Sequence, residues 1–357
     1  LKEDLRHKTW MLALSFLASF FVLPVSWLIV RSNMGDFQPK ETALVQVAGF
    51  FSEYLVLGCG VVAILGAFIT GLFGFRYLFQ KKMVDTWHSL PVKRRVLFGA
   101  IYLNGLLIWF VPLVFNMVFT IAMAAGTVCS LGGMAAFGEI IKRVLEALAI
   151  LAVIYLLVYH MVLAAVMLSG NVLNTLVSMG ILGLGVSCFY GIVIILFYYN
   201  MQTFYEPDVT KTVIYASPLL SAVYLLYTRL DLGADFWGAW GSTFVLVNLL
   251  VAAALGLWAG WLYCRRDSEA AEQGIRSRVM GTILRISAGM LAGMCGWQLF
   301  LIMVADSWAV VWGCFGAVFV GALVFGVLDI IIRMDFKAFF SHKVACLLFV
   351  LGRLVFL

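Results

Sequence analysis

The residues best placed to do chemistry in this chain lie in one stretch, Arg76 to Arg95, which reads RYLFQKKMVDTWHSLPVKRR. Arg76, Lys81, Lys82, Lys93, Arg94 and Arg95 supply positive charge there, against the single acid Asp85. Between the basic ends sits a short amphipathic piece, Val84-Asp85-Thr86-Trp87-His88-Ser89-Leu90, closed by Pro91. Proline cannot continue a helix and pushes the residue before it toward extended geometry, so Leu90-Pro91 ends a helical turn sharply. This chemistry is recognition and not bond making. A few apolar anchors on a short helix supply affinity for a groove, and flanking charges fix the register. A basic loop can also be a plain anchor that sets orientation in a membrane, and that explanation covers the lysines and arginines without accounting for Trp87, Leu90 and Pro91.

Elsewhere the sequence offers no catalytic constellation. It contains no phosphate-binding G-x-x-x-x-G-K-[ST] loop, no His-Glu-x-x-His and no G-x-S-x-G elbow, so any ATP chemistry must belong to a separate subunit. Seven cysteines (Cys59, Cys129, Cys188, Cys264, Cys295, Cys314, Cys346) are scattered without a Cys-x-x-Cys pair, mostly inside apolar runs, and read as buried free thiols. Ionisable residues inside apolar runs point to ion or proton pathways, because a charge in hydrocarbon is costly. They are few: Glu53, His160, Asp329 and Arg353. A satisfied polar group or an interfacial anchor accounts for the first three, and nothing resembles a proton relay.

These residues must be positioned by a membrane bundle. The chain is 64% hydrophobic and 12% charged, with a mean hydropathy of +1.05. A soluble domain carries about a quarter charged residues, so a soluble globular fold is excluded. The expected fold is an all-α polytopic membrane protein. The net charge of +6 resides in loops between apolar runs, where it reports orientation and not a nucleic-acid partner.

A span needs about 20 apolar residues, and nine runs come near that length. After a charged amphipathic turn at residues 1–9, the spans are expected near 10–30, 50–75, 96–124, 147–168, 176–199, 240–263, 283–304 and 308–332, with a ninth run from 344. A glycine-rich connection, GTVCSLGGMAAFG, and an amphipathic piece with Glu139, Lys142, Arg143 and Glu146 separate the third and fourth. Pro112, between Asn104 and Asn116, is expected to kink the third span. Gly180, Gly183, Gly185 and Gly191 suggest close helix contact in the fifth. Trp10, Trp27, Trp237, Trp240 and Trp308 sit at span ends as interfacial aromatics do. The semi-apolar piece SPLLSAVYLLY is too short to cross and is expected to dip into the interface. Because the sequence starts at Leu1 without methionine and stops inside an apolar run, it reads as part of a longer polypeptide.

Most basic residues collect on one side of this arrangement: Lys2, Arg6 and Lys8, the basic residues of Arg76 to Arg95, Arg265, Arg266, Arg276, Arg278 and Arg285, and Arg333, Lys337 and Lys343. The other side receives Arg31, Lys40, Lys142, Arg143, Lys211 and Arg229, among others. The positive-inside rule therefore puts the N-terminus and the Arg76–Arg95 loop in the cytoplasm.

Two segments carry a resemblance. KKMVDTWHSLPVKRRVLFGAIYL resembles the x-HSLP-[IV]-x-[RK]-[RK] stretch between the second and third spans of many Firmicute ABC-2-type permeases, and RRDSEAAEQGI resembles the R-x-S-E-x-A-G stretch after their sixth span, with Gln273 intervening before Gly274. The resemblance extends over residues 1–343. It implies a type-2 ABC exporter-like core of six spans over residues 1–263, with an N-terminal elbow helix and coupling loop 76–95. Residues 264–357 would add a cytoplasmic linker and about three further spans, continuing into an extracellular region. It also implies docking of an ATP-binding subunit on Val84, Asp85, Trp87, His88, Ser89, Leu90, Pro91, Arg94 and Arg95, with a minor contact at Ser169 to Thr175 and a partly re-entrant outer cap at Tyr205 to Tyr227. ATP and magnesium would sit on that partner, none on this chain. A second permease copy or paralogue and membrane lipids complete the expected partners, and the implied place is the bacterial plasma membrane. The competing expectation is a membrane scaffold or sensor whose loop recruits a cytoplasmic protein without transport.

Overall fold

The computed structural model describes residues 2–34, 39–89, 91–200, 214, 217–232, 241–267, 271, 278–303 and 308–333, and among these it contains helices and turns with no strand. The helices are α1 (Lys2–His7), α2 (Thr9–Asn33), α3 (Lys40–Gly74), α4 (Lys81–His88), α5 and α6 (the two arms, 94–132 and 134–168, of a continuous run), α7 (Val172–Gly180, a wide turn Ile181–Gly185, then Val186–Asn200), α8 (Pro218–Leu232), α9 (Ser242–Arg265), α10 (Arg278–Met303) and α11 (Ala309–Arg333). Among the described residues seven helices are long and apolar enough to cross a membrane, taking the Arg94–Leu168 run as one. The chain is an all-α polytopic membrane protein. Its ninth expected run lies outside the described residues.

The 75-residue run Arg94–Leu168 is two helices joined at Gly133, whose φ of 67° only glycine adopts without strain. Contacts show that the arms fold back on each other. The Tyr155 hydroxyl of α6 donates to the Gly105 carbonyl of α5 at 2.8 Å, and the Tyr159 hydroxyl to the Tyr102 carbonyl at 3.3 Å. Each pair is centred close to Gly133, as an antiparallel hairpin requires. The glycine-rich connection expected between these spans is thus helical on both sides of a single break. Pro112 lies inside α5 without interrupting it, because the one residue with non-helical backbone angles in the run is Gly133.

Two compact units interleave along the chain. The first holds residues 1–76, 91–163 and 221–264. At its centre lies α6. Ile150, Leu151, Ile154, Tyr155, Leu157, Val158 and Tyr159 are all fully buried, which explains why this helix is apolar on every side. Tyr155 stacks on Trp109 at 4.4 Å and on Tyr159 at 5.4 Å, and its hydroxyl is hydrogen-bonded to Thr70 Oγ1 of α3 at 2.9 Å. By contrast α2 buries a narrow stripe, Met11, Ser19, Leu23 and Trp27, and leaves the apolar Leu14, Leu17, Phe21 and Leu28 exposed on its other side. Ser19 accepts from Asn116 Nδ2 of α5 at 2.8 Å, and Asn116 also reaches the Phe16 carbonyl. Trp27, expected at an interfacial belt, is buried against Phe50 and Phe51. Trp10 and Trp308 are exposed, while Trp237 and Trp240 lie outside the described residues.

Wide π-type turns interrupt α2 at Phe21–Val25 and α3 at Phe50–Tyr54. Pro24 explains the first, since it lacks an N–H, and the Ser26 hydroxyl donates to the Phe21 carbonyl at 3.2 Å. The second has no such residue. Helix α3 begins at Lys40, ten residues before the sequence-expected start at Phe50.

The second unit holds residues 77–90, 164–220 and 265–357. Within it α10 and α11 pack most closely at Gly296 and Gly316, where a Cβ on either glycine would meet the other's carbonyl oxygen. That is the small-residue contact that lets membrane helices approach. Of the glycines expected to do this in α7, Gly183 and Gly185 are buried in the wide turn, which packs on α10, whereas Gly180 and Gly191 are not used in this way. The space around Gly180 and Gly191 is open, and Gly183 also offers its carbonyl to the Ser217 hydroxyl. The six described cysteines are free thiols, and only Cys59 is buried, because Cys129, Cys188 and Cys295 face outward from their helices.

Candidate functional site

Helix α4 (Lys81–His88) overlaps the amphipathic piece expected at Val84–Leu90 but starts before it, at Lys81. Gln80 is extended (φ −123°, ψ 120°) and its carbonyl takes the first helical bond, from Val84 N. At the far end Ser89 N donates to the Asp85 carbonyl at 2.9 Å and the Ser89 hydroxyl to the Thr86 carbonyl. Three residues at helical spacing turn inward. Val84 is 2% exposed, and Trp87 and His88 are half-buried, with the Trp87 ring 5.2 Å from Tyr77. Lys81, Lys82, Met83, Asp85, Thr86 and Ser89 form the exposed edge of α4; in the segment after Leu90, Pro91, Val92, Lys93 and Arg95 are exposed and Arg94 is half-buried. Leu90 lies outside the described residues.

The apolar face of α4 therefore holds the helix on its own unit, and its exposed edge is a mixed strip of basic, acidic and hydroxyl residues around Met83. Such an edge can bind a protein surface by charge and shape but has no group arranged for catalysis. The 3₁₀ turn Arg76–Phe79 that leads into α4 is itself buried at Tyr77, Leu78 and Phe79.

A residue counted in the sequence as an orientation charge proves to anchor this segment. Arg265 is exposed, whereas its neighbour Arg266 is buried. The Arg266 guanidinium donates to the carbonyls of Val166 at 2.7 Å, Met167 at 3.0 Å and Leu78 at 3.1 Å. Val166 and Met167 close the last turn of α6, where carbonyls run out of i+4 partners; the Val166 carbonyl also accepts from Ser169 N at 3.3 Å. The link after α6, expected as a minor contact, is ordered by Asn171, whose side chain caps α7 by accepting from Asn174 N at 2.8 Å, and it exposes Val172 and Leu173.

Of the ionisable groups expected within spans, His160 and Asp329 have partners, and Arg353 lies outside the described residues. His160 Nε2 is hydrogen-bonded to the Tyr102 hydroxyl at 2.9 Å, and its ring fills the space beside Gly256. Asp329 of α11 accepts from Arg285 of α10 at 2.6 Å, with both side chains buried. Arg285 further donates to the Gly281 carbonyl. Arg285 thus lies within α10 and pairs between helices, and it is not a loop charge. Glu53 lies half-buried in the wide turn of α3. Among the described residues no three His, Cys, Asp or Glu side chains are grouped as metal ligands would be. Of the expected cap at Tyr205 to Tyr227, residues 205–213, 215 and 216 lie outside the described residues. The rest includes the start of α8, where Ser217 caps the helix by accepting from Leu220 N.

No family model, curated protein or solved structure matches this chain.

Proposed function

We propose that this chain is the membrane-embedded permease subunit of an ATP-driven exporter, related to the ABC-2 type, and that α4 with the residues after it is the docking element for a separate ATP-binding subunit. The observation that carries the reading is the construction of Arg76–Arg95: a short helix fixed from behind by Val84 and Trp87, with its outer edge exposed and flanked by basic residues. A loop that served only to set orientation needs charge but no buried anchor. The HSLP stretch and the distribution of arginine and lysine support the same reading, which places the N-terminus and α4 in the cytoplasm of a bacterial cell. Membership of α4 and the link after α6 in one compact unit supports their acting on one partner.

In this account ATP and magnesium are bound by the partner, and this chain contributes no catalytic residue. Its task is to convert closure of the ATPase into rearrangement of its spans, which requires only that the two conformations bind the partner differently. The apolar outward faces suit a lipid, hydrophobic peptide or drug-like substrate. A second copy or a paralogue would complete the permease. The test is substrate-coupled ATP hydrolysis in membranes carrying the full chain and its ATPase. Trp87→Ala and Leu90→Asp are expected to uncouple hydrolysis from transport while the membrane fold persists. Normal coupled activity in both variants rejects the docking role.

A further inference from the structure

We propose that Arg266 is a positioning residue that latches the α4 segment to the end of α6, so that α4, the α6–α7 link and the chain leaving α9 move as one piece. The inference deepens the docking reading above and rests on it for its functional meaning. The geometry of the latch stands on its own observations.

Arg266 comes directly after α9, which ends at Arg265. Adjacent arginines that merely set orientation would both face water. Here one is exposed and the other is 9% exposed, its guanidinium shared between the Val166 and Met167 carbonyls on one side and the Leu78 carbonyl on the other. Burying a guanidinium is costly unless its donors are used. The last turn of a helix is where a cation recovers that cost best, because its carbonyls lack intrahelical partners and carry the negative end of the helix dipole. The third bond does something different. Leu78 sits in the turn immediately before Gln80 and α4, so Arg266 ties the root of the exposed helix to a fully buried span. These contacts join positions 99 to 188 residues apart in the chain.

The chemistry selects arginine. A planar fork with five donors reaches carbonyls in two directions at once, whereas a lysine ammonium on its flexible stem acts as a point charge. Without the latch, α4 retains Val84 and Trp87 as contacts, but its root is freed from α6. A push on α4 would then be absorbed locally and not delivered to the spans.

The experiment is hydrogen–deuterium exchange by mass spectrometry on the full-length chain in lipid nanodiscs, comparing wild type with Arg266→Met and Arg266→Lys. For Arg266→Met the latch predicts exchange about tenfold faster or more in peptides covering 77–89 and 164–171, the change expected from losing a charge-assisted hydrogen bond. Peptides from 55–74 and 309–333 should keep the wild-type rate. Arg266→Lys is expected to restore part of the protection. Unchanged exchange at 77–89 in Arg266→Met overturns the latch, and so does uniform acceleration along the chain, which would mark Arg266 as a general packing residue. In parallel, the tagged wild-type chain is tested for retention of a phosphate-loop ATPase. Failure there overturns the exporter reading, and exchange still decides the latch.

Discussion

Replacing Asp329 by alanine would strand Arg285 inside the membrane bundle. In the native structure its guanidinium lies 2.6 Å from the carboxylate, with side-chain exposures of 9% and 1%. Arg285 would keep the Gly281 carbonyl and a long contact to Thr282 Oγ1 at 3.4 Å, neither of which neutralises its charge. Removing one partner of a buried pair typically costs about 3–5 kcal/mol, because an uncompensated charge is left behind. Removing both in favour of apolar side chains of similar volume is often neutral or stabilising. Snorkelling and water entry reduce the cost of a charge in hydrocarbon, so the lower end of that range, about 3 kcal/mol, is the expectation for Asp329→Ala. Arg285→Met, which leaves a buried carboxylate, should cost a similar amount. The double variant Arg285→Met with Asp329→Leu should fall within about 1 kcal/mol of wild type. The assay is reversible unfolding of the full-length chain in mixed micelles, read as a double-mutant cycle. If the two single losses add in the double variant, the pair is not coupled and the reasoning from its geometry fails.

Three further outcomes follow from single contacts. Gly133→Val forces a β-branched residue to a φ of 67° and should cost about 1–3 kcal/mol in the same unfolding assay, while Gly138→Ala, which meets nothing within 4 Å, should stay near wild type. Gly296→Val drives a side chain onto the Gly316 carbonyl and Val320, and a loss of about 1–3 kcal/mol is expected, with cross-linking between α10 and α11 reporting their separation. Tyr155→Phe removes the hydroxyl between Thr70 and the Gly105 carbonyl, so thermal stability should fall by about 1–3 kcal/mol.

Which features could be read from the sequence follows from the range of the interactions behind them. Apolar length marks a span locally, so the helices lie close to where hydropathy placed them. Their ends moved because helices such as α3 and α5 continue beyond the apolar run, where hydropathy no longer reports on them. In GTVCSLGGMAAFG the glycines look alike, and only the fold-back of α5 on α6 selects Gly133. Trp27 stands at the end of an apolar run, as a belt residue would, yet it packs on Phe50 and Phe51 of the next helix.

The candidate site divides in the same way. The sequence revealed a short amphipathic piece at Val84–Leu90, where the structure has a helix over Lys81–His88. It did not reveal that Val84 and Trp87 turn inward, which leaves Met83 and the lysines as the exposed edge. Arg266 and Arg285 counted as orientation charges because their partners lie far away in the chain, Asp329 at 44 residues and Leu78 at 188. No local pattern carries that information.

Whether α4 docks an ATPase is decided by purifying the tagged full-length chain in mild detergent from its native membrane and identifying what remains bound by mass spectrometry. An ATPase bearing a phosphate-binding loop should be retained by wild type and lost when the exposed edge is altered by Met83→Asp or the residue before Pro91 by Leu90→Asp. Recovery of the chain alone, or with a signalling protein in place of an ATPase, would contradict the docking role.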